Sequence, residues 1–278
     1  MMRADLHTHT YYSDGGQSPR DVVSAAKRSG VNIISVTDHD NSNGTDETRE
    51  LAQKSGIIAV DGEEISAYLG DIKIHILGYN MDRSSETYKS FHKRLCDGAV
   101  ARTFDILKKL NDNGVRISYG EVIRERKCEL SPIHATYIAV AGARKGYASS
   151  PWEFYAKYLN WGTVGFSCIE RPSPEETVKF ITDCGGLSSL AHPARISMDT
   201  GEVEELVVRL ASLGLSGIEA VYSGHTVKET QYYKELAERF SLLITGGSDT
   251  HHTGGTRRVG QPVFYPDERL LSALGINC

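Results

Sequence analysis

The sequence predicts an α/β fold: a largely parallel sheet interleaved with helices and interrupted by a helical insertion. Three observations predict it. Short apolar strand patterns alternate with amphipathic helix patterns on either side of the chain's middle, as they do when crossover helices join parallel strands. Histidines and carboxylates sit where several apolar runs end, the place where such strands deliver site residues. Residues 83–166 carry no strand pattern. The pattern fixes neither the strand number nor the choice between a βα barrel and an open doubly wound sheet.

Residues 3–6 form the first expected strand, leading into Asp5-Leu6-His7-Thr8-His9. Ser18 is an N-cap with Pro19 at the first helical position; Val22, Val23, Ala25 and Ala26 give the buried stripe, and Gly30 ends the helix. Residues 31–36 are an apolar, β-branched strand ending at Thr37-Asp38-His39-Asp40. A helix from Thr45 closes at Gly56, and a third strand, 57–60, ends in Asp61-Gly62-Glu63-Glu64. Residues 65–69 and 72–77 flank Gly70-Asp71 as a hairpin, with His75 on its second arm. Residues 84–113 predict a long helix, with Phe91, Leu95, Phe104, Leu107 and Leu110 as its apolar positions. Ser118 and Glu121 make a capping box, and two further helices follow at 132–142 and from Ser150-Pro151 onward.

Alternation then resumes. Ser173-Pro174 opens a helix that Gly185 ends, and strand 186–191 leads into His192-Pro193. Helix 202–213, strand 217–221, helix 226–239 and strand 242–245 follow, the last entering Ser248-Asp249-Thr250-His251. The expected domains are residues 1–82 with 167–278, and a helical insertion at 83–166 that covers the site.

The 278 residues suffice for one large α/β domain or a domain with an insertion. No run approaches the ~18 apolar residues of a membrane span. The first motif starts at His7, leaving no room for the apolar stretch of a signal peptide. Cys96, Cys128, Cys168, Cys184 and Cys278 are odd in number and scattered, matching neither a zinc ribbon nor a disulfide framework. A reduced, cytoplasmic protein is expected. The net charge of −5 conceals an asymmetry. Between Arg83 and Gly146 there are 13 Lys and Arg against 7 Asp and Glu, leaving 18 against 29 elsewhere. An acidic body suits cations and a basic middle suits an anionic substrate.

His7 and His9 are two apart, so in a strand both imidazoles face one side and reach one ion. His39, Glu64, His75, His192, Asp249 and His251 recur in similar settings, with Asp14 following the first pair. Together these residues, from Asp5 to about Gly260, resemble the PHP (polymerase and histidinol phosphatase) family of metal-dependent phosphoesterases. The nearest likeness is to the branch that hydrolyses nucleoside 3′,5′-bisphosphates and trims short RNA. The resemblance implies a distorted (βα)7 barrel of the PHP type with a helical insertion. It also implies a trinuclear centre: His7, His9 and Asp249 on one ion, Asp14, His39 and His192 on a second, His75 and His251 on a third, with Glu64 bridging.

Six imidazoles and three carboxylates without a thiolate favour Mn²⁺, Fe²⁺ or Zn²⁺ over Ca²⁺ or Mg²⁺, with Mn²⁺ foremost. Nine ligands exceed what one ion uses. Neighbouring ions generate hydroxide at neutral pH and clamp phosphoryl oxygens, so no separate catalytic side chain is expected beyond the ligands. Arg102, His134 and Arg195 are the expected substrate contacts; the first two match family positions, and Arg is suited to phosphate by its planar fork. The chain departs from the family before His134, reading Leu130-Ser131-Pro132-Ile133 where the family has an Arg. Asp38, Asp40, Glu219 and His225 are candidates for orienting ligands.

The expected substrate is a small phosphorylated molecule, a nucleotide or short single-stranded RNA, with no role for duplex DNA or a membrane. The alternatives are a phosphatase of another small monoester resembling histidinol phosphate, and a non-catalytic metal-binding regulator. A zinc amidohydrolase would want a Lys ligand at a strand end, and none is seen. Oligomeric state is not encoded in these patterns.

Overall fold

The computed structural model describes residues 1–252 and 255–277; Cys278 lies outside the described residues. The chain divides into two compact units, Met1–Lys89 with Pro172–Cys278, and Ser90–Arg171.

In the first unit, β1 (Ala4–Thr8) is buried along its whole length. α1 (Pro19–Arg28) starts at Ser18, whose hydroxyl accepts from the Asp21 amide while the Asp21 carboxylate accepts from the Ser18 amide. Two orphan donors are thereby satisfied. Val22, Val23 and Ala26 pack with Ile34 and Val36 of β2 (Ile33–Val36) and Ala52 of α2 (Thr45–Ser55). β3 is only Ile58–Ala59. The expected strand 57–60 is thus shorter, and Glu64, expected just after it, lies instead inside β4 (Gly62–Leu69), which starts three residues before the expected hairpin arm 65–69. β4 pairs antiparallel with β5 (Ile72–Tyr79) around Gly70, whose φ of +57° suits a residue without a side chain. Directly opposed residues share a face, so Glu64 opposite Leu77 and Ser66 opposite His75 define one side of the hairpin. Ile65, Ala67, Ile74 and Ile76, all buried, define the other.

α3 (Glu86–Asp112) contains the boundary between the units. The second unit continues with α4 (Tyr119–Ile123), α5 (Ala135–Arg144) and α6 (Pro151–Phe154), which runs into a π-helical turn at Tyr155–Leu159. Leu107, Leu110, Val122, Ile138 and Phe154 are in its core. Gly142 admits the Phe154 ring, which a Cβ there would meet at 2.1 Å. Phe91, Leu95, Leu107 and Leu110 are buried as expected, but Phe104 is 53% exposed. It lies flat on Tyr119, ring centroids 4.7 Å apart, and covers that ring instead of entering the core.

The first unit resumes with α7 (Pro174–Asp183), β6 (Leu187–Leu190), a 3₁₀ turn at Pro193–Arg195, α8 (Thr200–Ala211), β7 (Gly217–Tyr222), α9 (Val227–Arg239) and β8 (Leu243–Gly247). α10 (Glu268–Ala273) was not anticipated; the Asp267 carboxylate caps it by accepting from the Leu270 amide at 2.8 Å. Its Leu270 and Leu271, with Leu274 at its C-cap, join Leu6, Leu77 and Tyr79 in one buried cluster.

The fold is mixed α/β. β1-β2-β3 form a parallel sheet; β4-β5-β6-β7-β8 form a second, antiparallel through β6 and parallel thereafter. The sheets are not closed into one continuous barrel. They meet at single bridges, Thr8 with Thr250 and His39 with Glu64, while a third bridge ties Ala4 to Phe264 in the segment after β8. Two of the seams fall beside residues with left-handed backbone, Asp40 at φ +55° and Asp249 at φ +51°, which turn the chain out of a ladder. Among the described residues no helix is long and apolar enough to cross a membrane.

β8 approaches β1 through Gly247, where a Cβ would lie 2.3 Å from His7 Cβ and 2.6 Å from His7 N. Gly247→Ala is therefore expected to destabilise the fold by about 1–3 kcal/mol, read as a lower urea midpoint. An unchanged midpoint would show that the strands separate freely.

Candidate metal centre

All nine expected ligands lie in the first unit. β1 carries His7, and His9 follows it; the turn after them carries Asp14. His39 follows β2, Glu64 and His75 come from the hairpin interior, His192 follows β6, and Asp249 and His251 follow β8. Glu64 is fully buried and central. Its Oε2 lies 3.3 Å from His7 Nε2, 3.2 Å from His9 Nε2 and 3.1 Å from His39 Nδ1. Its Oε1 lies 2.7 Å from His75 Nδ1 and 2.9 Å from His192 Nε2. Asp249 Oδ1 adds contacts of 3.6 Å to His7 Nε2 and 3.2 Å to His9 Nε2. Asp14 Oδ1 lies 3.3 Å from His251 Nε2 and 3.9 Å from His39 Nε2.

The proximities define three groups around the shared carboxylate. His7, His9, Glu64 and Asp249 form one set, and His9, Asp14, His39 and His251 another, each with ligand atoms within 4.8 Å of one another. His39, Glu64 and His75 form a third, to which His192 adds Nε2 at 3.2 Å from His75 Nδ1. This grouping differs from the one implied by resemblance in a single exchange: His192 stands beside His75, and His251 beside Asp14. The chain reversal at His192, a left-handed residue at φ +30°, aims its ring at Glu64.

Donor chemistry fits a cation. His7 Nδ1 donates to Glu219 Oε1 at 2.9 Å, and His251 Nδ1 donates to the Asp249 carbonyl at 3.0 Å. In the neutral imidazole each bond leaves Nε2 as a lone pair turned into the centre. His7 Nε2 and His9 Nε2 face each other at 3.1 Å, a separation natural for two lone pairs sharing a positive ion. Glu64 Oε2 and Asp14 Oδ1 are buried without a hydrogen bond among the described residues.

The electrostatics agree. Burial opposes charge on His9, but the Asp249 and Glu64 carboxylates beside it overcome that and push the imidazole up to about 10. Burial likewise opposes charge on His7, yet Glu219, Glu64 and Asp249 hold it well above its ordinary range. Burial carries His39 well below that range and His75 down to about 4. Burial raises Glu64, but His75, His39 and His7 outweigh it and hold the carboxylate ionised.

Supporting residues fix this geometry. Glu219 is fully buried on β7; besides His7 it accepts from the His192 amide at 2.8 Å, so one carboxylate orients two ligand segments. Glu219→Gln is expected to weaken metal affinity by about 10–100-fold, measured by metal titration; unchanged affinity would make Glu219 a packing residue only. Asp38 accepts from Thr10 N at 2.7 Å and from the Thr10 and Ser13 hydroxyls, each at 2.6 Å, holding the turn that carries Asp14. Asp40 accepts from the Ser66 amide at 2.8 Å and ties the chain after β2 to β4.

Of the expected substrate contacts, Arg195 reaches the centre: Nη1 donates to Tyr222 OH at 2.8 Å and to Asp249 Oδ2 at 3.5 Å. Arg102 and His134 are buried in the second unit. Arg102 Nη1 donates to the Ile169 and Glu170 carbonyls at 2.8 and 3.3 Å; His134 N-caps α5 with no hydrogen bond from its side chain to the cap. Sequence reasoning missed Tyr222, which donates to Asp249 Oδ2 at 2.9 Å, and Arg257, which pairs with the same oxygen. Period-two alternation sets Tyr222 on the opposite face from Glu219, but the β7 register shifts between Glu219 and Val221 and undoes that rule. Arg257 sits in a loop without periodicity; an Arg-Arg pair shortly after Asp249 is its only signal.

The PHP domain profile matches residues 5–159. A 3′,5′-nucleoside bisphosphate phosphatase from Chromobacterium violaceum is 28% identical over 98% of each chain. A 5′-3′ exoribonuclease from Haemophilus influenzae is 30% identical over 95% of each. A crystal structure from Bifidobacterium adolescentis, described as a metal-dependent phosphoesterase, superposes with a TM-score of 0.84 at 26% identity, over 98% of this chain and 94% of that one.

Proposed function

Since the chain belongs to the PHP domain family and is a metal-dependent phosphoric ester hydrolase, we propose that its substrate is a nucleotide. It removes the 3′-phosphate of nucleoside 3′,5′-bisphosphates and trims short single-stranded RNA from the 5′ end. The observation that carries this reading is the Glu64 carboxylate with five imidazoles within 3.3 Å of its oxygens, a donor set for several divalent transition ions, three in this reading, with Mn²⁺ foremost.

His7, His9 and Asp249 with Glu64 would hold one ion, Glu64 with His75 and His192 a second, and Asp14, His39 and His251 a third. Ions bound there would supply a water-derived nucleophile and neutralise phosphoryl charge. The protein's own part is orientation. Glu219 fixes His7 and the His192 backbone, and Asp38 fixes the Asp14 turn. Arg195, half exposed beside Asp249, is placed to meet a phosphoryl oxygen. Arg102 and His134 are proposed to hold the substrate's other phosphate, an assignment that rests on the family positions. The strand topology serves the same end in this reading, as a distorted barrel whose seams open where ligands emerge.

Product chromatography with Mn²⁺ tests the proposal. Adenosine 3′,5′-bisphosphate should yield 5′-AMP and phosphate, and a 5′-phosphorylated oligoribonucleotide should release 5′-mononucleotides stepwise. Formation of 3′-AMP would overturn the assigned direction. Cleavage of a sugar or amino-alcohol phosphate with no nucleotide turnover would leave only the metallophosphatase.

A further inference from the structure

We propose that a groove on the first unit, between β7–α9 and residues 256–267, is a subsite for the nucleotide that follows the scissile phosphate of a short single-stranded RNA. The inference rests on the nucleotide reading of the metal centre and extends it beyond the reacting phosphate. The groove is open to solvent along one side and measures about 1080 Å³, roomy enough to seat a nucleotide without enclosing it. None of the nine ligands lines it, but it adjoins the centre through Tyr222 and Arg257, which both bind Asp249 Oδ2 and form part of its wall.

Its chemistry suits a nucleotide. The exposed Arg258 stands on one wall and Lys234 on the α9 wall, giving cations for a phosphodiester backbone, while Arg257 is paired with Asp249. The two acids of the lining are Glu238 and Asp267, and Asp267 is committed to the α10 cap. Two lining polar atoms, Ser223 Oγ and His225 Nε2, are buried without a hydrogen bond among the described residues. His225 Nδ1 donates to the Ala220 carbonyl at 3.0 Å, so the neutral ring presents Nε2 as an acceptor. A ribose hydroxyl or an exocyclic amino group would complete it, whereas an apolar ligand would leave it orphaned. Tyr265, 50% exposed, offers a stacking face at the rim. Cations, an unfilled acceptor and an aromatic face are the elements of single-strand recognition.

The test compares two substrates on Mn²⁺-loaded protein. Adenosine 3′,5′-bisphosphate ends at the scissile phosphate; a 5′-phosphorylated pentaribonucleotide continues past it. In K234E/R258E the bisphosphate kcat/KM should be unchanged, while the oligonucleotide kcat/KM falls about tenfold through KM. Anisotropy with a labelled phosphorothioate analogue should show log Kd against log salt shallower by about 1.4, for two lost single-strand phosphate contacts. Tyr265→Ala should weaken oligonucleotide binding about fivefold or more without changing that slope. Equal losses on both substrates, or oligonucleotide kinetics and binding equal to wild type in both variants, would overturn the subsite. If the wild type turns over neither nucleotide but binds the oligonucleotide with the expected sensitivity to the variants, the proposed function fails and the subsite stands. Absence of oligonucleotide binding overturns the subsite whatever the bisphosphate shows.

Discussion

Glu64→Gln should reduce turnover by about 10³-fold or more and lower the metal content of the purified protein by more than one ion per chain. The basis is its position: each oxygen faces imidazoles of different groups, Oε2 toward His7, His9 and His39, Oε1 toward His75 and His192. A side chain that merely oriented a ligand would cost about 10–100-fold in affinity; one shared between ions removes part of each coordination shell at once. Gln keeps the shape and loses the charge, so circular dichroism should remain that of the wild type while elemental analysis changes. Full metal content with activity within tenfold of wild type would show that the carboxylate is not shared.

Metal activation should also tighten steeply with pH. Without an ion, His9, pushed up to about 10, carries a proton at neutral pH, and His7 is held well above its ordinary range. Coordination needs the neutral ring, so an ion entering the set of His7, His9, Glu64 and Asp249 must displace those protons. One proton released makes the apparent affinity about tenfold tighter per pH unit, and two make it about a hundredfold. The window is pH 6 to 8, below the value for His9. His39 and His75, pushed down by burial, are already neutral there and add nothing to the slope. For the metal-free chain the stability linkage has the opposite sense. The His9 contribution is fully present below its unfolded value of about 6.5 and is lost as pH rises through about 10. Titration calorimetry in two buffers of different ionisation enthalpy measures the proton release. A pH-independent activation constant for Mn²⁺ would rule out the displacement.

The elements most legible in the sequence were those with local causes. Ser18, Ser118 and Ser173 cap their helices as their spacing requires, since the partner amide lies three residues on. His7 and His9 converge as the two-residue repeat of a strand leads one to expect, although β1 ends at Thr8. The centre's other half depended on long-range pairing. Asp61-Gly62 looks like the end of a strand, yet Glu64 lies inside β4, because pairing with β5 from Gly62 onward overrides the local turn signal. The neighbours of His192 and His251 follow from backbone reversals at His192 and Asp249, residue types that enter the left-handed region more often than most but too seldom for a sequence to mark where. α10 escaped notice because its six residues are too few to show a helical period.

The hairpin register carries a consequence for biogenesis. Glu64 and His75 sit on one face of β4–β5 and Ile65, Ala67, Ile74 and Ile76 on the other, so a slip of one residue on either arm sends that arm's ligand to the wrong face. The same slip turns buried isoleucines outward, so misregistered chains are penalised by hydrophobic exposure before any ion arrives. Maturation of the centre is then an all-or-none sorting event. Chains refolded in limiting Mn²⁺ should separate, by native mass spectrometry, into fully competent and wholly incompetent populations, without a continuum of weakened sites between them.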